Sequence, residues 1–143
     1  MYRRVNDDLQ VLLVHPGGPF WAGKDSGAWS IPKGEFEHES PLAAAQREFE
    51  EEIGTAIAGE FIALSPCTQK GGKVIHAFAV EGELDVRSVK SNTFEMEWPP
   101  RSGRKRSFPE VDRAEWFSLE EAAAKINPAQ RAFLLELVQK LAG

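Results

Sequence analysis

The chain has one cysteine, Cys67, which rules out an intramolecular disulfide framework and suits a reducing compartment. It has no apolar run approaching the roughly 18 residues of a membrane-spanning helix. The N-terminal stretch MYRRVNDD lacks the apolar centre of a secretory signal, so a cytoplasmic location with no membrane attachment is expected. Repeats and low-complexity segments are absent. An extended basic face is lacking too, and a net charge of −5 argues against nucleic acid as a partner. What remains is 143 residues of ordinary globular composition, 42% hydrophobic and 27% charged, enough for one domain over 1–143 with a sizeable core.

The charge is concentrated. Between Glu35 and Glu52 lie seven acidic side chains and one base, Arg47, giving a local charge of −6. The rest of the chain therefore sums to about +1. From Ser40 the segment reads as a helix, with Ser40 as N-cap, Pro41 at the first helical position and alanines at 43 to 45. Leu42, Ala45, Phe49 and Ile53 recur at helical spacing as an apolar stripe, and Gly54 stands where a C′ glycine ends a helix. Glu48, Glu51 and Glu52 fall on one side, with Glu50 pointing elsewhere. Like charges at this spacing cost a helix about 0.2–0.5 kcal/mol per pair, and anions near a C-terminus oppose the dipole. Convergent carboxylates are what Mg²⁺ takes when it bridges protein to phosphate, and a solvated acidic face is the alternative.

These residues closely resemble the signature box of the Nudix hydrolases. There a glycine is followed by five residues and a glutamate, then seven residues, then Arg-Glu-apolar-any-Glu-Glu-any-Gly-apolar. The second half matches over Arg47, Glu48, Phe49, Glu50, Glu51, Glu52, Ile53 and Gly54, with Thr55 in place of an aliphatic residue. The first half departs: Glu39 is correctly spaced from Arg47, but the glycine is Gly34 where the pattern would put it at Lys33, so the loop is one residue short. VLLVHPGGPFW, GAWSIPKGE, KGGKVIHAFAV, NTFEMEWPPRSG and FPEVDRAEWFSLEEA extend the likeness over nearly the whole chain, toward bacterial nucleoside-triphosphate and dinucleoside-polyphosphate pyrophosphohydrolases.

The resemblance implies an α/β fold, an α/β/α sandwich with a mixed central sheet. It also implies hydrolysis of a nucleoside diphosphate linked to another group. The preferred substrate is a dinucleoside polyphosphate such as diadenosine tetraphosphate, giving AMP and ATP. A (d)NTP pyrophosphohydrolase and a non-catalytic nucleotide sensor are the alternatives. Glu48, Glu51 and Glu52 would hold Mg²⁺, with Mn²⁺ as substitute. Arg47 would orient a box carboxylate, and Lys33 and Gly34 would face the substrate. Glu39, Glu95 or Glu97 would orient or deprotonate the attacking water. A homodimer is compatible with the sequence. The likeness also implies a longer first strand, whose absence leaves an open sheet edge near residues 2–5.

Elsewhere, Leu9–Val14 reads as a buried strand after a turn at Asn6-Asp7-Asp8, with Val5 ending an earlier strand. Phe20 and Trp21 sit in a Gly/Pro-rich loop, as packing anchors or as a stacking platform for a nucleotide base. Trp29 to Ile31 is expected to be a short strand, and Ala56–Ala58 and Phe61–Leu64 strand pieces. Lys70 to Lys73 is expected to turn a hairpin into a strand Val74–Val80 buried on both faces, with His76 a core or cleft histidine. Glu95 and Glu97 alternate with Phe94, Met96 and Trp98. The flexible loop RSGRKR offers Arg101, Arg104, Lys105 and Arg106 to a polyphosphate chain, or simply to solvent. Ser118 begins a capping box, and Asn127-Pro128 opens a last helix with Phe133, Leu134, Leu137, Val138 and Leu141 on its apolar face.

Overall fold

The computed structural model describes residues 1–33, 39–68 and 71–142. Its centre is strand β2 (Asp8–Pro16), antiparallel to β1 (Tyr2–Val5) on one side and to β9 (Val111–Ser118) on the other. The β1–β2 turn places Asn6 and Asp7 at φ 52° and 68°, the left-handed pair a tight two-residue hairpin requires. Five consecutive residues of β2, Val11 to His15, are buried, which happens when both faces of a strand are covered. Val11 and Leu13 pack with Trp29, Phe117, Ala122, Ile126, Leu134 and Leu137. Leu12 and Val14 face the other way, onto Phe49, Ile53, Val111 and Ala114.

Those two faces are the two helical layers. Helix α1 (Pro41–Ile53) covers one, while α2 (Leu119–Lys125) and α3 (Arg131–Ala142) cover the other. The arrangement is an α/β/α sandwich. Parallel bridges Tyr2–Glu81 and Trp29–Ile126 join the antiparallel core and make the sheet mixed. The expected open edge is occupied at Tyr2, whose N–H donates to the Val80 carbonyl and whose carbonyl accepts from Gly82 N–H, each at 3.0 Å.

Ala56–Ala58 forms no strand, and Phe61–Leu64 keeps only β3 (Ile62–Ala63). The long strand expected at Val74–Val80 is two short ones. β5 (Val74–Ile75) pairs with β4 (Cys67–Thr68), and β6 (Phe78–Ala79) pairs with β3. The cause lies in the partner segment. Pro66 has no N–H to give, and the Ser65 N–H is taken by the Glu136 carboxylate at 2.7 and 2.8 Å, so the ladder breaks. Ile75, Ala77 and Ala79 are buried, while on the other side Val74 and His76 are exposed, Phe78 is half-buried and Val80 is buried, so both sides are covered only toward the end of the segment.

The RSGRKR stretch is the turn and first residues of a regular hairpin, not a loose loop. β7 (Thr93–Glu97) and β8 (Lys105–Pro109) pair in register from Thr93–Pro109 to Glu97–Lys105. Arg101 and Gly103 take positive φ at its tip, and Trp98 N–H bonds to the Arg104 carbonyl at 2.9 Å. At the far end of the chain, Ser118 caps α2 in a complete capping box, and Asn127 caps a 3₁₀ turn that runs into α3. On α3, Phe133, Leu134 and Leu137 are buried, whereas Val138 is exposed.

Candidate active site

Ser40 Oγ accepts the Ala43 N–H at 3.2 Å and starts α1, and Gly54 ends it at φ 88°. A Cβ on Gly54 would lie 2.5 Å from the Lys90 carbonyl oxygen, so the position requires glycine for space as well as for conformation. The carbonyls of the last turn are satisfied from outside: Lys90 N–H bonds Ile53 O at 2.9 Å and Asn92 N–H bonds Glu51 O at 2.7 Å. Ala44, Phe49 and Ile53 are the buried residues of the helix, while Leu42 and Ala45 are only half-buried. Glu50 is exposed. The remaining glutamates are thus turned toward the loops at the end of the sheet.

Arg47 gathers three of them. Its Nε and Nη2 donate to Glu39 Oε1 at 2.9 and 2.7 Å, and Nη1 donates to Glu48 Oε1 at 2.8 Å and to Glu51 at 3.2 and 3.3 Å. These bonds, those to Glu39 foremost, stabilise the guanidinium and raise its pKa further. Glu52 is held differently, accepting the Lys33 main-chain N–H at 3.0 Å. Burial pushes the Glu52 carboxyl up to about 8, against the opposing pull of that N–H and of the Lys33 charge. Glu48 is also raised, first by burial and then by the Glu51 and Glu110 charges, while Arg47 opposes the shift.

Glu110 is the residue the sequence reading passed over. It sits between β8 and β9, and its charge acts on both Glu48 and Glu52. Its main chain is fixed on both sides: Glu110 N–H donates to Asn92 O at 2.9 Å, and Glu110 O accepts from Gly17 N–H at 2.9 Å. Its only sequence signal was an acid at a strand junction, which is too common to single out. His15 was passed over too. It is fully buried, with Nδ1 2.8 Å from Asp112 Oδ1 and Nε2 2.6 Å from the Lys24 carbonyl. Asp112 stands where the β2–β9 register shifts, between the pairs His15–Arg113 and Pro16–Val111, and a bulge of this kind re-aims a side chain.

The other expected residues lie farther along the hairpin. Glu95 and Glu97 occupy the exposed face of β7, opposite Ser107 and Lys105. Arg101, Arg104, Lys105 and Arg106 are exposed at the tip. Phe20 is 60% exposed and sets its ring edge-on to Trp98 at 5.6 Å, and Trp21, 39% exposed, has Lys24 Nζ 5.0 Å from its ring centre. Gly34, and with it the shortened part of the box up to His38, falls outside the described residues.

Among the described residues, no three His, Cys, Asp or Glu side chains are arranged to hold a metal ion. Glu48 and Glu51 are turned to Arg47, and Glu52 to Lys33. The donor set nevertheless suits a hard divalent cation. It consists of carboxylate oxygens, and two of the carboxylates are held above their ordinary pKa by burial and like charge, which a cation would relieve.

Comparison with protein families finds the NUDIX domain over residues 2–137, and the chain belongs to that family. Comparison with curated proteins gives no match. Among solved structures, the NUDIX domain of Shewanella oneidensis NrtR, complexed with ADP ribose, superposes with a TM-score of 0.63 at 14% identity, covering 99% of this chain and 83% of that one. A C. elegans Ap4A hydrolase binary complex gives 0.62 at 20% identity, with coverage of 99% and 93%. The solution structure of the E. coli ORF135 protein gives 0.53 at 25% identity, with coverage of 96% and 84%. The family assignment supports a Nudix-type pyrophosphohydrolase acting on phosphoanhydride bonds, and the superpositions support the fold. No helix among the described residues is long and apolar enough to cross a membrane.

Proposed function

We propose that the acidic face of α1 cleaves a nucleoside diphosphate linked to another group, and that the substrate is a dinucleoside polyphosphate such as diadenosine tetraphosphate. The observation that carries this reading is the gathering of Glu39, Glu48 and Glu51 on one guanidinium, beside a desolvated Glu52. Glu48, Glu51 and Glu52 would hold Mg²⁺, or Mn²⁺ in its place. The bound cation would offset charge on phosphoryl oxygens and lower the pKa of bound water. Arg47 orients its carboxylates and limits their mutual repulsion. Glu52 must give up its proton before it can bind a cation, so ligand binding releases protons near neutrality.

In the hydrolysis, water oxygen bonds to phosphorus, the bridging P–O bond breaks, and the water's proton leaves to a base. Glu39 is engaged with Arg47, and Glu95 and Glu97 sit on the exposed face of β7. Glu110, whose charge reaches Glu48 and Glu52, joins these three as a candidate base and is the one we favour. Lys33 and Gly34 would line the approach to the cleaved bond. A reducing, cytoplasmic setting completes the reading.

Product analysis with Mg²⁺ or Mn²⁺ tests it. AMP plus ATP from diadenosine tetraphosphate, lost in Glu51→Gln and Glu52→Gln, supports the proposal. NMP plus pyrophosphate from (d)NTPs, with no dinucleotide turnover, replaces the substrate. Nucleotide binding without turnover under either metal leaves a sensor and sinks the enzyme.

A further inference from the structure

The loop after β2 runs along the hairpin from its base to its tip. Gly17 N–H is bonded to Glu110 O at the base. Gly18 lies against Phe94, close enough that a Cβ would sit 2.9 Å from the ring. Phe20 then reaches Trp98, edge-on at 5.6 Å. The base of this track is the acidic face, because Asn92 bonds Glu51 O and the Glu110 charge reaches Glu48 and Glu52. The tip is the more basic end: among the described residues, Arg101, Arg104, Lys105 and Arg106 form no ion pairs, and Glu97, cross-strand from Lys105, is the acid nearest to them in register.

At the strand rise, Phe94 to Trp98 is about 13 Å and Asn92 to Trp98 about 20 Å. That separation discriminates between substrates. When a mononucleotide is cut beyond its α-phosphorus, its base lies a ribose and one phosphoryl group from the cut. When a dinucleoside tetraphosphate is cut into AMP and ATP, the far base lies a ribose and three phosphoryl groups away. A base stacked at the tip, level with Arg104, with anionic phosphates leading back past Arg106 opposite Met96, fits the second and is out of reach for the first.

We propose that Phe20 and Trp98, with the Arg101–Arg106 turn, form a distal subsite for the second, uncleaved nucleoside of a dinucleoside polyphosphate. This rests on the cleavage reading above. The subsite sets specificity by length, and the acidic face does the chemistry.

The test compares kcat/KM for diadenosine tetraphosphate and for ATP in the wild type, Phe20→Ala and the double variant Arg104→Ala/Arg106→Ala. Loss of one stacked base should lower the dinucleotide-to-ATP ratio by about 5- to 100-fold in Phe20→Ala, mainly through KM. The arginine variant should lower it too, with the effect shrinking as salt rises. An unchanged ratio overturns the proposal. A metal-free tryptophan-fluorescence titration with a non-hydrolysable diadenosine tetraphosphate separates this idea from the cleavage reading. Saturable quenching that weakens in Phe20→Ala, in a protein that hydrolyses nothing, keeps the subsite and removes the enzyme. Turnover of the dinucleotide without that quenching does the reverse. Tighter quenching by an adenine-rich single-stranded RNA than by the dinucleotide would overturn the choice of occupant.

Discussion

The main-chain N–H of Lys33 donates to Glu52 Oε2 across 3.0 Å, tying the chain before the shortened loop to the acidic face of α1. That single bond does not offset burial, and the Glu52 carboxyl sits at about 8. A carboxyl raised on folding binds its proton more tightly in the folded than in the unfolded chain, so stability falls as pH rises between the two values. We expect the Tm of the metal-free protein to drop from about pH 5 to about pH 8. Glu52→Gln should flatten that slope, and Mg²⁺ at pH 8 should restore Tm in the wild type. Equal slopes in the two proteins, measured by calorimetry, would contradict the burial of this group.

Arg47→Ala should remove turnover and lower the urea midpoint, because Glu39, Glu48 and Glu51 lose their common partner. Arg47→Lys keeps the charge but cannot reproduce the fork, and it should recover stability better than kcat. Urea melts and steady-state kinetics on the same preparations decide this. Parallel recovery of both quantities would mean that Arg47 acts only as a counter-charge.

His15 faces an acceptor on each ring nitrogen. The Lys24 carbonyl can only accept, so Nε2 donates to it, which leaves Nδ1 to Asp112. His15→Phe removes both bonds in a buried site and should cost about 1–3 kcal/mol. It should also loosen the 18–24 turn. Hydrogen exchange provides the check: the Trp21 and Lys24 amides, bonded to Gly18 O and Trp21 O, should exchange faster while β2 stays protected.

Gly54→Ala combines strain at φ 88° with a collision against the Lys90 carbonyl. A loss of about 2 kcal/mol or more is expected, read from the midpoint of a urea melt. A loss below about 0.5 kcal/mol would show that the 90–92 segment gives way.

The helix carrying the acids was legible because its determinants are local: Ser40, Pro41 and Gly54 at the ends, and glutamates spaced for one side. The strand at Leu9–Val14 was legible because burial on both faces leaves an unbroken apolar run from Val11 to Val14. Val74–Val80 misled because its break comes from elsewhere, from Pro66 and from a Glu136 carboxylate some 60 residues on. The RSGRKR stretch looked loose by composition, yet its residues pair with β7 across a tight turn. Glu110 and the His15–Asp112 pair were invisible for a related reason. Single polar residues acquire meaning only through a bulge or a neighbouring loop, and neither is written in their own surroundings.

Asn92 is bonded through its main chain in two directions, giving its N–H to Glu51 of the helix and taking one from Glu110 at the hairpin base. No side-chain exchange at that position, short of proline, removes either bond. The joint between helix and hairpin is therefore indifferent to sequence where it matters most. The hairpin can be lengthened or shortened in steps of two residues per strand, about 7 Å, while the acidic face keeps its shape. On the subsite proposal, such steps would act as a ruler for substrate reach.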